Sequence, residues 1–219
     1  TKKHLNSFSL YFLTGWQHIV STEALDHILF ITALAAVYLL QDWKKVLILV
    51  TAFTIGHSLT LALSVYDVVR FSERWVEFLI PCTIAITALF NLQWKKNTGK
   101  RVQLNYFFAL FFGLIHGMGF ANTIRFMLSK DESIAWPLLS FNIGLEAGQI
   151  FIVAILLLVS YVAVNIIKLQ RSWWVLALSF ICFAIAANMI IDRLPGKSNE
   201  QKEAYQKIIF SKQENNIFT

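Results

Sequence analysis

Residues 138–167 read LLSFNIGLEAGQIFIVAILLLVSYVAVNII, thirty positions in which Glu146 alone is charged. Wound as a helix at about 1.5 Å per residue, such a run outreaches a hydrocarbon core about 30 Å thick. Working outward, five more apolar runs lie at 22–40, 46–66, 76–93, 106–129 and 173–194. The sequence therefore predicts an all-α fold, a polytopic transmembrane helical bundle of six spans in one domain, 1–195. Residues 9–20 (SLYFLTGWQHIV) are apolar but short, which suits an interfacial or re-entrant helix. Pro195-Gly196 stops the last span, and 196–219 is a polar tail in which Tyr205, Ile208 and Ile209 could share one face of a surface helix.

Composition agrees. Of 219 residues 57% are hydrophobic and 15% charged, against about 45–50% and about 25% in soluble domains. That excludes an ordinary cytosolic enzyme, a disulfide scaffold and a disordered chain. The net charge of +6 sits mostly beside apolar runs, so it reads as a topology signal and not as a nucleic-acid surface. Loops 1, 3 and 5 carry Lys44, Lys45, Lys95, Lys96, Lys100, Arg101, Lys168 and Arg171; the opposite loops and the end of span 4 carry Arg70, Arg74, Arg125 and Lys130. This bias puts loops 1, 3 and 5 in the cytoplasm and both termini outside. Trp43, Trp75, Trp94, Trp136 and Trp173 fall at span ends as interfacial anchors. Cys82 and Cys182 lie in apolar runs without Cys-x-x-Cys spacing and read as core residues. Glu77 and Pro81 read as an interfacial and a kink residue, and Arg125 as snorkelling or guarding an entrance. The chain begins at Thr1, which reads as a processed or trimmed N-terminus.

Ionisable groups at membrane depth cost about 2.5–3.5 kcal/mol each on insertion scales, and so point to function. Here they are His18, Asp26, His27, His57, His116 and Glu146, on several spans but all in the outer half or centre of the bilayer. Asn142, Glu146 and Gln149 form a polar stripe on span 5, and Thr54, His57, Ser58 and Ser64 a polar side on span 2. Gly113 and Gly117 flank His116, and Gly144 and Gly148 flank Glu146, spacings that let helices approach closely. Phe53…His57…Ala62 and Phe112…His116…Ala121 share a spacing that hints at a duplicated span. Imidazole with carboxylate is a donor set for a divalent metal ion such as nickel, cobalt or zinc. Asp26 reads equally as the acceptor that fixes a histidine tautomer.

The stretches Gly15–His18 with LDHILF (25–30), FTIGHSLTLA (53–62), FGLIHGMGFA (112–121) and FNIGLEAGQ (141–149) together resemble the HupE/UreJ family of small bacterial membrane proteins. The resemblance implies a nickel or cobalt permease of the bacterial inner (cytoplasmic) membrane, with His18, Asp26, His27, His57, His116 and Glu146 carrying the metal. Asn142, Gln149, Thr54 and Ser58 would line its path.

Three functions follow as expectations. The first is a metal-ion permease with a midplane site. The second is an intramembrane zinc hydrolase on a lipid or peptide, with Asp26, Glu146 and Ser58 as catalytic candidates. The third is an accessory subunit whose polar cluster only ties the bundle together. The partners expected are membrane lipid and a divalent ion, with no nucleic acid; a homo-oligomer is left open.

Overall fold

The computed structural model describes residues 2–21, 24–92, 99–120, 124 and 134–195. Trp94, Lys130, Arg125 and the polar tail lie outside the described residues. Helices α1 (Lys2–Val20), α2 (Leu25–Ala35), α3 (Trp43–Val65), α4 (Glu73–Leu92), α5 (Gly99–Gly119), α6 (Ala135–Tyr161) and α7 (Arg171–Asp192) follow in order, with a 3-10 turn at Leu40–Asp42 and a π turn at Val162–Ile166. No strand occurs among the described residues. Leu40–Val65, Glu73–Leu92, Ala135–Ile166 and Arg171–Asp192 are each long and apolar enough to cross a membrane, and α1 with α2 makes a fifth candidate. Among the described residues that gives four or five crossings where the sequence predicts six.

The start of the chain departs from expectation. The run 22–40 is not one helix: α2 has 11 residues, about 16 Å at about 1.5 Å per residue, too short to cross alone. Nor does 9–20 stand apart as a short interfacial piece. It belongs to the 19-residue α1, which lies along α6 from the Phe8–Trp136 ring contact to that of Trp16 with Phe151. The axes of Phe8–Val20 and Leu25–Ala35 meet at 67°, so the two helices form one bent element. The Ser21 and Ala24 amides close the bend with hydrogen bonds to Gln17 O and Ser21 O.

Two helix pairs make backbone contact. A Cβ on Gly15 would collide with the Phe141 carbonyl, and one on Gly144 with that of Phe12, so α1 and α6 lie side by side and parallel. Gly56 meets the Leu110 carbonyl and Gly113 that of Phe53, binding α3 to α5 in the same way. The remaining pair, α4 and α7, runs antiparallel, with Arg74 reaching Pro195 O and Arg193 reaching Glu77 O. The short α2 packs against both. Trp43, Trp75, Trp136 and Trp173 are exposed near helix starts, as interfacial anchors would be. Cys182 is buried and Cys82 half-buried, neither in a disulfide.

Adding a methyl at Gly56 forces two backbones apart, an overpacking cost of about 1–3 kcal/mol that exceeds the ~1 kcal/mol helix-propensity gain of Gly→Ala. At Gly119 the nearest atoms to a Cβ are side-chain carbons at 3.5 Å. Gly56→Ala should therefore lower the thermal unfolding midpoint in detergent by several degrees, and Gly119→Ala should leave it unchanged or raise it.

Candidate metal-handling site

The bend between α1 and α2 and the glycine contacts bring four histidines together. His18 sits near the end of α1 and His27 in the first turn of α2; His57 is mid-α3 and His116 near the end of α5. Ring centroids are 4.7 Å apart for His18 and His27, 5.1 Å for His27 and His116, 6.0 Å for His18 and His57, and 6.1 Å for His27 and His57. His57 is fully buried and His116 nearly so, at 0% and 1% exposure. Phe30, Phe53, Phe120 and Phe141 pack around them.

Hydrogen bonds fix which ring nitrogens are free. Asp26 Oδ1 accepts from His27 Nδ1 at 3.0 Å and from the His27 amide at 2.9 Å. A carboxylate can only accept, so the proton lies on Nδ1 and the Nε2 lone pair is open. On His116, Nε2 lies 3.2 Å from Thr83 Oγ1, whose own proton goes to Ile80 O at 2.7 Å. His116 Nε2–H therefore donates, and Nδ1 is left with its lone pair. Four nitrogens of these rings plus one of His18 are buried without a hydrogen-bond partner among the described residues: His27 Nε2, His116 Nδ1, both nitrogens of His57, and His18 Nε2. Buried polar atoms are seldom orphaned unless something else is to bind there.

His18, His27 and His116 line a vestibule of about 710 Å³ together with Gln17, Asp26, Glu77 and Arg193, and the fully buried His57 packs against His18 and His27 outside that lining. Arg193 Nη1 lies 3.5 Å from Asp26 Oδ2 and 3.4 Å from the Glu77 carbonyl. That carbonyl is available because Pro81, four residues on inside α4, has no N–H to give it. A guanidinium thus already lies against the Asp26 carboxylate in the vestibule wall. Sequence reading missed Arg193, Thr83 and the vestibule position of Glu77; Pro81 was the one available signal, since a mid-helix proline always frees a carbonyl.

Other expected residues stand differently. Glu146 accepts from Thr51 at 2.8 Å, on α3 six residues or roughly 9 Å before His57, and it does not line the vestibule. Between them, Thr54 donates to Gln149 Oε1 at 2.7 Å. Asn142 Oδ1 is buried without a partner among the described residues, and Ser58 is half-buried beside His57. Among the described residues no three or more His, Cys, Asp or Glu side chains are placed to hold one metal ion. The rings converge without forming a closed cage.

A family model described as HupE / UreJ protein matches residues 1–193, so the chain belongs to the HupE/UreJ family. No curated protein and no solved structure matches it significantly.

An imidazole buried with both nitrogens unpaired costs on the order of 1–3 kcal/mol, a cost that an apolar side chain of similar size avoids. His57→Leu should therefore raise the unfolding midpoint of the metal-free protein. A lower midpoint would mean that His57 is structural.

Proposed function

We propose that this HupE/UreJ family member is a divalent metal-ion permease of the bacterial inner membrane, carrying nickel or cobalt, or else zinc. The family is linked to nickel and cobalt handling. The observation that carries the reading is the set of imidazole nitrogens left free on His18, His27 and His116 in the wall of an open vestibule, with His57 packed behind them. Neutral imidazole is a good donor to these borderline ions, whereas thiolate or thioether clusters suited to copper(I) do not line the vestibule.

The ion enters between the start of α4 and the end of α7. The loop-charge bias makes this the extracytoplasmic side, shared with both termini. It meets Asp26 first and takes over the carboxylate from Arg193. His27 Nε2, His116 Nδ1, His18 Nε2 and His57 then replace its water. Thr83 and Asp26 hold two of the rings in the tautomers that leave those nitrogens free. Thr54, Gln149, Asn142 and Ser58 flank the cluster, and Glu146 lies on that flank beyond them. Ligands that approach without closing suit cargo that must leave again, since a closed four-ligand site retains its ion.

Reconstituted in liposomes that contain a metal-sensing dye, the protein should pass nickel or cobalt ions. The His57→Leu, His116→Leu pair should reduce the flux at least ~10-fold, the effect of losing about 1.4 kcal/mol or more. Flux unchanged in the double variant, or none from the wild type for nickel, cobalt and zinc, would falsify the permease. Arg193→Gln removes a competing cation from a partly screened pair, worth about 0.2–1 kcal/mol. Nickel affinity, read from the ion-dependent shift of the unfolding midpoint, should therefore rise about 1.5- to 5-fold.

A further inference from the structure

The two backbone-contact pairs are copies of one another. In α1, Phe12, Gly15 and His18 have the spacing of Leu110, Gly113 and His116 in α5; in α3, Phe53, Ile55 and Gly56 have that of Phe141, Ile143 and Gly144 in α6. The contacts repeat residue for residue. Gly15 presses on Phe141 as Gly113 presses on Phe53, and Gly144 on Phe12 as Gly56 on Leu110. The third pair follows, because Val76, Ile80 and Thr83 of α4 and Val175, Ser179 and Cys182 of α7 are buried at the same spacing. Both leading helices also stop just past their histidine, α1 at Val20 and α5 at Gly119.

The copies run in opposite directions. The α3 start and the α6 end share one cavity, lined by Trp43, Tyr161 and Asn165, so these helices are antiparallel, as α4 and α7 are. The chain thus divides into a half that holds α1, α3 and α4 and a half that holds α5, α6 and α7, related by a two-fold axis in the membrane plane. His18 and His116 are equivalents, and each packs against His27 near that axis. Repeats of this kind with broken helices let one site be reached from either side in turn.

The relation locates the second route. The vestibule opens between the start of α4 and the end of α7; its counterpart must lie between the same helices at their other ends, with Leu176 and Ser179 standing where Glu77 and Ile80 stand. A cavity of about 340 Å³ is there, lined by Asn91, Leu92, Ser172, Trp173, Val175 and Leu176. Below it Val175 is buried, and so is the Ser179 hydroxyl, which has no hydrogen-bond partner among the described residues. The rival seam between α3 and α6 is bolted by the Thr51–Glu146 and Thr54–Gln149 bonds. We propose that the ion leaves between the end of α4 and the start of α7, past Ser179, when the inverted repeats exchange conformations and the vestibule closes. This rests on the permease reading of the histidine cluster.

The test is thiol accessibility in the full chain with Cys82→Ala and Cys182→Ala, in membrane vesicles of both orientations, using a membrane-impermeant methanethiosulfonate. Ile80→Cys, Leu176→Cys, Ser179→Cys and Thr51→Cys are compared, with nickel flux measured in the same vesicles. Ile80→Cys should react from the vestibule face, and Leu176→Cys and Ser179→Cys from the opposite face only. A minor state is populated at about 0.1–10%, so Ser179→Cys should react about 10- to 1000-fold more slowly than Ile80→Cys. Ser179→Cys unreactive while Leu176→Cys reacts makes the cavity a dead end and overturns the route. So does reaction of Ser179→Cys from the vestibule face, or reaction of Thr51→Cys in place of Ser179→Cys from the far face. Nickel flux together with any of these leaves the permease standing without this route. Two-sided labelling without flux of nickel, cobalt or zinc keeps the route and removes the cargo assignment.

Discussion

Contact between helix backbones at Gly15, Gly56, Gly113 and Gly144 is the constraint on which the site depends. Lipid tails are as apolar as leucine, so helices in a membrane gain little by hiding apolar side chains from them and associate through close packing instead. Where a glycine faces a carbonyl, two axes come closer than any side chain would allow. His57 lies beside the α5 contact, since a Cβ on Gly117 would meet its carbonyl, and His116 is the residue before Gly117. His18 lies one turn past Gly15. The glycines therefore set the separation of the rings as well as that of the helices.

What the glycines assemble is not arranged for stability. Asp26 and Thr83 each satisfy one nitrogen of a histidine and leave the other open. A bundle optimised only to hold together would pair these atoms or replace them with leucine. The Arg193–Asp26 contact stabilises the empty site in part, and it does so with a cation that another cation can replace. The Glu77 carbonyl freed by Pro81 gives the guanidinium a second acceptor, so Arg193 stays tethered to α4 after leaving the carboxylate.

The helical membrane character was legible in the sequence, and so were the four histidines and Asp26 that the structure brings close together, because a histidine or aspartate in an apolar run stands out regardless of fold. Glu146 stood out equally, but its hydrogen bond to Thr51 is a long-range pairing to which no local pattern points. The break after residue 20 was legible as a gap between two apolar runs, whereas their joining into one element bent by 67° was not, because no local pattern sets that angle. The repeat was glimpsed with the wrong partners: Phe53…His57 and Phe112…His116 share a spacing, yet α3 corresponds to α6 and α5 to α1. The two copies keep the glycines, which packing requires, and vary the residues between them. His57 has Leu145 as its counterpart, and motif matching on histidines therefore aligns the wrong helices.

That asymmetry bears on mechanism. Strict two-fold symmetry would place His57 against a fifth histidine and give the ion equal holds from both sides. On the permease reading, with Leu145 as the counterpart of His57 and with Asp26 and Arg193 on the vestibule side, the two end states would differ in free energy both with and without cargo. A ligand can shift a two-state equilibrium only by its differential affinity for the states. On the permease reading proposed above, an ion held by Asp26 would favour the open vestibule until the histidines took it over, and Arg193 returning to Asp26 would then offset the loss. On that same reading Arg193 would be the group that resets the empty carrier, a group that a symmetric site would lack.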